Sequence, residues 1–367
     1  MAPDGWQSVR RILAVRLDNV GDIIMLEPAL RSLRAALPAA AITLLATPAG
    51  SQAAPLLSCV DDVLVQSVSW QDISGKWPQD PASEYALVQM LRERGFDAAV
   101  IFTSFSQSPY PPAYVCYLAG IPIRLAQSKE FGGALLSRWV KPPADDAHQA
   151  ERNLHLLEQA GFPILGRHLE LAVPDEAQGT ADRLLREVGI AAGEPFIVMA
   201  PGASAAARRY DASRYAQVAA RLRQESGLTV VLVGSPREAD LVRSVLDGAG
   251  AEPGHAIVSL AGRTTVPELA GVIRRAGLVI ANNSGPLHLA DAFGRPMVIL
   301  YSGTDLESQW RPRQAPARLL RRPTACAPCY GFRCPYHLEC LDIPPEEVVQ
   351  HALNLLGVSA PQPIGVN

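Results

Sequence analysis

The chain has 367 residues and a formal net charge of −3, with 48% hydrophobic and 6% aromatic residues. This near-neutral charge gives no electrostatic reason to expect nucleic acid as a partner, and no apolar run is long enough to span a bilayer. The opening MAPDGWQSVRR lacks the apolar core of a secretory signal. We therefore expect a cytoplasmic protein, and peripheral contact with the inner face of a membrane stays open. At roughly 150 residues per domain, two domains are expected.

The first half alternates short apolar β-type runs with segments of helical periodicity. Strands are predicted at residues 11–18, 41–47, 61–66 and 97–103, and helices at residues 23–37 and 85–95. Strands that alternate with helices build parallel βαβ units. The first half, residues 1–174, is therefore predicted to form a doubly wound parallel α/β sheet.

A polar, proline-containing passage at residues 171–179 interrupts this rhythm, which then restarts. Strands are predicted at residues 196–204, 229–236, 255–262, 278–283 and 296–303, with helices at 180–190, 214–227, 238–250, 266–277 and 287–294. Residues 175–345 thus predict a second doubly wound domain. A final helix begins at residue 345. We expect the C-terminal segment 346–367, this helix and its tail, to pack back onto the first half.

Open parallel sheets bind ligands outside the carboxyl ends of their strands, and two sheets in tandem are expected to create a cleft. Four polar loops of the second half belong to this edge. They are PGAS (201–204), GSPRE (234–238), GRTT (262–265) and NNSGP (282–286). These loops predict a ligand site at the edge of the second sheet.

The segment ANNSGPLH predicts an anion site at the start of a helix. Ser284 suits the N-cap, where its hydroxyl can accept from a first-turn N–H, and Pro286 suits the first turn because it needs no N–H. Gly285 permits close backbone approach. The remaining N–H groups and the helix dipole favour a diphosphate, and His288 could add a donor. An ordinary capped helix with a structural histidine is the alternative.

Two further loops offer polar side chains. Ser204 follows a glycine turn, and Arg208 precedes a helix, where its guanidinium could clamp phosphate. A solvated basic helix start is the alternative for Arg208. Glu238 lies at a helix start, where a capping role and a contact with a sugar hydroxyl or base both fit.

Asp22 follows Gly21 at the junction between the first predicted strand and the first predicted helix. A carboxylate there could act as general base on a hydroxyl, although aspartate also serves as an N-cap. Asp18 is a rival. Neither the dinucleotide fingerprint G-x-G-x-x-G nor the Walker loop follows this strand, so hydride transfer and nucleotide hydrolysis lose support.

The four matching blocks together resemble glycosyltransferase family 9, the ADP-heptose:lipopolysaccharide heptosyltransferases and their relatives. The blocks are RLDNVGDIIMLEPALRSL at the start, APGASAAARRYDASRY in the middle, and LAGRTT–PELAGVI followed by ANNSGPLHLADAFGRPMVILYSGTD. The cysteine segment CAPCYGFRCPYHLEC also looks like one found in part of that family. The resemblance covers nearly the whole chain.

The resemblance implies a GT-B fold with two Rossmann-like domains facing across a cleft, the acceptor in the first and the donor in the second. It implies inverting, metal-independent transfer of a heptose-like sugar from an ADP-linked nucleotide-diphosphate sugar to a hydroxyl of a glycan, glycolipid or glycoside. No cofactor is required. A nucleotide-sugar epimerase of the same fold and a non-catalytic sugar-nucleotide-binding protein are the alternatives.

The family motifs also assign site residues. Asp22 matches the catalytic aspartate, and Arg208 stands where the family usually has a phosphate-binding lysine. Asn283 replaces an aspartate of the family's Asp-Thr-Gly, which removes a negative charge beside the diphosphate. The expected donor-binding residues are Ser204, Arg208, Glu238, Thr264, Thr265, Asn283, Ser284, Gly285 and His288, and the expected acceptor-side residues are Asn19, Gly21, Tyr110 and Arg124.

The first half is poor in basic residues, which bears on the acceptor. No lysine or arginine lies between Arg34 and Lys76, and a modest patch follows at Arg124, Lys129, Arg138 and Lys141. Three tyrosines, Tyr110, Tyr114 and Tyr117, could stack on sugar faces or simply pack. We expect an acceptor less anionic than inner-core lipopolysaccharide.

The six cysteines fall into two groups. Cys59 and Cys116 sit alone among apolar residues and are expected in the core. Four others, Cys326, Cys329, Cys334 and Cys340, have the spacing C-x2-C-x4-C-x5-C. Four thiolates suffice for tetrahedral zinc, but the spacing is not that of paired zinc knuckles. We expect reduced structural thiols and no metal.

Overall fold

The computed structural model describes residues 2–72, 75, 80–250 and 256–358. The chain divides into two compact units, the first ending at Ala172 and the second beginning at Val173. Within the described ranges, no helix has the length and apolarity needed to cross a membrane.

The first unit contains one six-stranded parallel sheet. Its strands are β1 (Arg11–Arg16), β2 (Ala41–Ala46), β3 (Asp62–Val65), β4 (Ala98–Ile101), β5 (Ile123–Gln127) and β6 (Arg138–Val140), and its helices are α1 (Val20–Ile24), α2 (Glu27–Ala36), α3 (Pro81–Arg94), α4 (Tyr110–Leu118) and α5 (Gln149–Gln159). The strand order is β3-β2-β1-β4-β5-β6. All four residues of β4 are buried, as expected for a strand covered on both faces.

The predicted helix over residues 23–37 is in fact two helices. The first ends at Ile24, and the second starts at Glu27 with Pro28 in its first turn. A proline ring collides with the carbonyl four residues earlier, so a continuous helix through Pro28 is disfavoured. The break leaves α1 as a single short helix directly after β1, and α1 carries Asp22.

The second unit repeats the architecture with a second six-stranded parallel sheet. Its strands are β7 (Phe196–Ala200), β8 (Thr229–Leu232), β9 (Ile257–Ser259), β10 (Leu278–Asn282), β11 (Met297–Leu300) and β12 (Ala317–Leu320), and its helices are α6 (Asp175–Glu187), α7 (Ala212–Ser226), α8 (Ala239–Gly248), α9 (Val266–Arg275), α10 (Gly285–Ala292), α11 (Glu307–Trp310) and α12 (Pro345–Leu356). The strand order is β12-β11-β10-β7-β8-β9. The predicted strand at residues 255–262 starts at His255, which lies outside the described residues.

The final helix α12 packs within the second unit, and the expected packing of the C-terminal segment onto the first half stays a prediction. It contacts α7 and the strands β10 and β11. Val348, Val349, Ala352 and Leu353 are buried in the core of that unit. An apolar stripe must find a covering surface, and its position at the end of the chain does not specify which one. The rest of the predicted C-terminal tail, residues 359–367, lies outside the described residues.

We predict opposite stability effects for two glycines in the packed helix pair α6 and α9. A Cβ at Gly271 would lie 2.9 Å from the Cβ of Ala181, so Gly271→Ala should lower the free energy of unfolding by about 1–3 kcal/mol through overpacking. Gly179 is exposed within α6, and no described atom lies within 4 Å of a Cβ built there. Gly179→Ala should therefore raise the free energy of unfolding by about 0.5–1 kcal/mol. Urea denaturation of both variants tests this, and equal effects would contradict it.

Candidate functional site

The loop after β7 is tied to the end of β10 by one buried amide. Asn282 is fully buried, and its Nδ2 donates to the carbonyl oxygens of Pro201 at 2.8 Å and Gly202 at 3.2 Å. Its Oδ1 accepts from the backbone N–H of Tyr210 and the hydroxyl of Tyr215, both at 3.1 Å. Asn282 therefore fixes the loop that carries Ser204 and Arg208. It was not among the predicted site residues.

The next residue, Asn283, anchors a buried polar network. Its Nδ2 donates to Asp305 Oδ2 at 3.3 Å, and its Oδ1 accepts from the hydroxyl of Ser302 at 3.3 Å. The hydroxyl of Thr304 donates to the same Asp305 oxygen at 2.6 Å. These residues follow β11, and the run Ser-Gly-Thr-Asp at 302–305 is the sequence signal that could have identified Thr304 and Asp305.

Arg208 is held by this network. Its Nη2 lies 2.8 Å from Asp305 Oδ2, and its Nε donates to Thr304 Oγ1 at 3.2 Å. The side chain is 28% exposed, whereas that of Asp305 is 9% exposed. The guanidinium is thus fixed in direction by a buried carboxylate. Because Arg208 and Asn283 share one oxygen of Asp305, the cation lies beside the start of α10.

Ser284 occupies the N-cap position of α10, but the predicted hydroxyl cap is wrong. Its Oγ donates back to the carbonyl oxygen of Asn282 at 3.4 Å and makes no capping bond to the first turn. The N–H of Leu287 instead donates to the carbonyl oxygen of Ser284 at 3.1 Å. The half-buried Gly285 opens the helix, with Pro286 next. First-turn N–H groups that no side chain caps can bind an anion.

His288 lies in α10 and is buried, with its ring 6.4 Å from that of Trp310. The pKa of His288 is lowered to about 4, mainly by burial; the charge of Asp291 opposes this shift and that of Arg208 adds to it. The imidazole is therefore neutral at pH 7. Any bond it makes to an anion comes from a neutral N–H and not from a cation.

Glu238 caps its own helix start. Its Oε2 accepts from both the backbone N–H and the hydroxyl of Ser235, each at 2.8 Å. Its other oxygen approaches Gly202 so closely that a Cβ there would lie only 2.0 Å away. Glu238 thus has the capping role that was one of its two interpretations, and its carboxylate also packs against the loop after β7.

The remaining predicted donor residues differ in their surroundings. The hydroxyl of Thr265 accepts from the N–H of Glu268 at 3.4 Å, and the Thr265 N–H donates to the Glu268 carboxylate at 2.7 Å. This reciprocal pair caps α9. Thr264 is half-buried and Ser204 is exposed. Of the predicted set, Arg208 and Asn283 are joined in one network through the carboxylate of Asp305.

In the first unit, Asp22 lies in α1 with both carboxylate oxygens bonded. Oδ2 accepts from the backbone N–H of Asn19 at 3.2 Å, and Oδ1 accepts from Nη2 of Arg16 at 2.8 Å. Its side chain is 14% exposed, whereas that of Arg16 is fully buried. Gly21 contributes a carbonyl that accepts from the N–H of Met25. The N-cap of α1 is Asn19 and not Asp22, which lies at the third helical position and accepts from the N-cap N–H, and Arg16 is a partner that was not predicted.

The rival acid, Asp18, pairs with the same arginine. Its Oδ2 lies 2.7 Å from Nε of Arg16, and its Oδ1 accepts from the side-chain amide of Gln107 at 2.6 Å. Burial raises the pKa of Asp18, and Asp22 raises it further, while Arg16 and Gln107 oppose the shift. Two carboxylates therefore converge on one buried cation.

The structure gives Tyr110 and Arg124 packing roles. The hydroxyl of Tyr110 donates to the carbonyl of Glu130 at 2.5 Å, and its ring leaves no room for a Cβ at Gly132. Arg124 is buried and donates to main-chain carbonyls, among them that of Leu135 at 2.7 Å and that of Ala134 at 3.0 Å. A guanidinium used in this way has few N–H groups left for an acceptor, and the acceptor-side role of Arg124 stays a prediction.

All six cysteines lie in the described part of the chain as free thiols. Cys59 and Cys116 are buried, as predicted, and burial raises the pKa of each to about 12. The other four line one small pocket together with Ala207, Gly303 and Thr304. Among the described residues, no group of three or more His, Cys, Asp or Glu side chains is arranged to hold a metal ion.

The cysteine segment also supports the Arg208 network through its backbone. The N–H of Cys329 donates to the carbonyl of Gly303 at 3.0 Å, and that of Tyr330 donates to the carbonyl of Thr304 at 2.8 Å. The carbonyl of Phe332 accepts from the N–H of Ala207 at 3.2 Å. Both loops that hold the guanidinium of Arg208 are therefore hydrogen-bonded to this segment.

Two six-stranded parallel sheets with polar loops at their carboxyl edges define a GT-B-type α/β fold, the class of many nucleotide-sugar transferases. The model of glycosyltransferase family 9 (heptosyltransferase) matches residues 84–338, and the chain belongs to this family. The protein is a glycosyltransferase, which sets aside the epimerase and non-catalytic alternatives.

The similarity extends over most of the chain. The chain is 27% identical to lipopolysaccharide heptosyltransferase 2 of Escherichia coli (strain K12) over 360 residues, which cover 94% of this chain and 98% of the relative. The structure of E. coli ADP-heptose LPS heptosyltransferase II matches with a TM-score of 0.75 at 24% identity, covering 94% and 98% of the two chains. An E. coli heptosyltransferase with ADP-2-deoxy-2-fluoro heptose matches with a TM-score of 0.66 at 16% identity, covering 93% and 98%. The predicted family and fold class are confirmed.

We predict that His288 makes the protein less stable in acid. Between its ordinary pKa of 6.5 and about 4, the unfolded chain binds a proton here that the folded chain does not. The free energy of unfolding therefore falls as the pH drops through this window, by up to about 3 kcal/mol from this residue. His288→Gln should flatten the pH dependence of denaturant unfolding between pH 6.5 and 4. Parallel curves for the two proteins would contradict a buried neutral imidazole.

Proposed function

We propose that the protein is an inverting heptosyltransferase that moves a heptose-like sugar from an ADP-linked donor to a hydroxyl of a lipopolysaccharide-type glycan. The observation that carries the donor half is the orientation of Arg208 by Asp305 beside the start of α10. The ADP nucleotide is supported by two similar E. coli structures, an ADP-heptose transferase and an enzyme with an ADP-sugar analogue.

The donor diphosphate would bind between Arg208 and the first turn of α10. Charge develops on the diphosphate as the bond to the anomeric carbon breaks, and oriented donors stabilise that charge. Arg208 supplies a cation whose direction Asp305 fixes, and α10 supplies backbone N–H groups. The neutral His288 adds a further N–H. These groups make a metal ion unnecessary for stabilising the leaving group.

Asp22 would act as the general base. The acceptor oxygen attacks the anomeric carbon, its proton passes to the Asp22 carboxylate, and ADP leaves from the opposite face, which inverts the configuration. Although both oxygens of Asp22 are bonded, a carboxylate has further lone pairs that can accept a proton. Its 14% exposure leaves the group within reach of a ligand.

The acceptor would contact the first unit. Tyr114 and Tyr117 of α4 are each 51% exposed, and their rings stack with centroids 6.5 Å apart. Flat exposed rings of this kind suit sugar faces. A glycan or glycolipid anchored in a bilayer would place the enzyme in the cytoplasm, at the inner face of the membrane, through peripheral contact. A smaller glycoside would need no such contact.

We predict that Asp22→Asn lowers kcat about a hundredfold or more, because the amide cannot accept the proton. The affinity for ADP should stay within about twofold, since Asp22 and the diphosphate loops belong to different units. Transfer assays with ADP-heptose and a lipopolysaccharide-type glycan acceptor that lacks its terminal heptose give kcat, and calorimetry with ADP gives the affinity. Full turnover by the variant would remove Asp22 from the mechanism.

We predict that Arg208→Gln weakens ADP binding about tenfold or more, because a charge-assisted contact to phosphate is lost. Arg208→Lys should recover part of the affinity, since a point charge remains without the planar fork. The matched control is Arg221→Gln, a partly exposed arginine of α7 that pairs with Glu225 and Glu346. Isothermal titration with ADP compares them. Equal affinities for the Arg208→Gln and Arg221→Gln variants would refute the donor site.

A further inference from the structure

Arg16 is a fully buried cation that two carboxylates share. It ends β1, and separate nitrogens of its guanidinium face Asp18 at 2.7 Å and Asp22 at 2.8 Å. The Asp22 contact is also a hydrogen bond, the Asp18 contact is an ion pair without hydrogen-bond geometry, and the third nitrogen, Nη1, is buried with no hydrogen-bond partner among the described residues. The arginine thus divides its charge between the two acids at nearly equal distances.

We propose that Asp18 is a positioning residue that keeps Asp22 able to accept a proton, by drawing part of the charge of Arg16 away from it. This inference rests on the proposed function, in which Asp22 is the base. A carboxylate that alone faces a buried arginine is stabilised as the anion, which lowers its pKa by about 1–3. Such an anion is a weak base in catalysis.

The other charged groups around Arg16 support this division. Arg152 of α5 is 2% exposed and lies close enough to Arg16 that the two cations repel, which contributes to a lowered pKa of Arg152. Asp145 lies 3.9 Å from Arg152 and offsets that cation. Near Arg16, Gln107 donates to Asp18 and the Asn19 N–H donates to Asp22, so each acid also has one uncharged partner.

The hydrogen bond from Gln107 has a defined consequence. An N–H donor stabilises the ionised form of Asp18, which burial disfavours. Without an ionised Asp18, the full charge of Arg16 would act on Asp22. Gln107, in the loop that precedes α4, therefore affects Asp22 indirectly, because it helps to keep Asp18 ionised.

The test is the pH dependence of kcat/KM for heptosyl transfer by four proteins. In Asp18→Asn, the acid limb should move to lower pH by about half a unit or more, and the plateau should fall severalfold, because Asp22 becomes a weaker base. Gln107→Leu should move the limb in the same direction by less. Asp62→Asn is the matched control. Asp62 pairs with Arg94 and begins the edge strand β3, whereas Arg16 ends β1. The limb of Asp62→Asn should coincide with that of the wild type.

A second readout does not need activity. With ¹³C-labelled aspartate, the carboxyl resonance of Asp22, assigned by its loss in Asp22→Asn, should titrate at lower pH in Asp18→Asn than in the wild type. If Asp18→Asn does not fold, Gln107→Leu carries the same comparison.

Three outcomes have different meanings. An unshifted limb and an unshifted Asp22 titration would overturn the positioning role. Loss of activity in Asp18→Asn as deep as in Asp22→Asn at every pH would make Asp18 itself the base, which also overturns it. A wild type that binds ADP but transfers nothing would refute the proposed function, and the Asp22 titration would still decide the effect of Asp18.

Discussion

Two adjacent asparagines at the end of β10 hold the donor-side loops in place. Asn282 is the last residue of β10 and bonds to the loop after β7, whereas Asn283 is the first residue after the strand and bonds to the loop after β11. Both amides are buried, where an unpaired polar group would be costly. The position of Arg208 follows from these bonds, because its own loop is held by Asn282 and its partner Asp305 by Asn283.

Much of the fold could be predicted from the sequence because its central strands are buried on both faces. β1, β4, β7 and β10 read as continuous apolar runs, which is the pattern of a parallel sheet. β6 has only three residues, of which Arg138 and Trp139 are exposed, so no periodic signal marks it. The contacts of α12 with α7, β10 and β11 could not be predicted for a related reason, since an apolar face shows that a helix must pack but not against which surface.

The residues of the predicted site were easier to find in the sequence than the contacts and charge states of those residues. Arg208 and Asn283 were found by motif, yet the acid that joins them is 97 residues from Arg208 and 22 from Asn283. No local spacing reveals such a contact. The charge state of His288 depends on burial, and the use of Arg124 depends on carbonyls of a neighbouring loop. These properties appear only once the chain is folded.

The backbone bonds from the cysteine segment to the donor loops link the order of that segment to ligand binding. If the segment around Cys329 and Tyr330 opens locally, the carbonyls of Gly303 and Thr304 lose their partners, and the loop that fixes Arg208 loosens. A ligand that binds only the closed arrangement must then favour the closed segment by the same free energy. Amides near the thiols would then exchange with deuterium more slowly when nucleotide is bound.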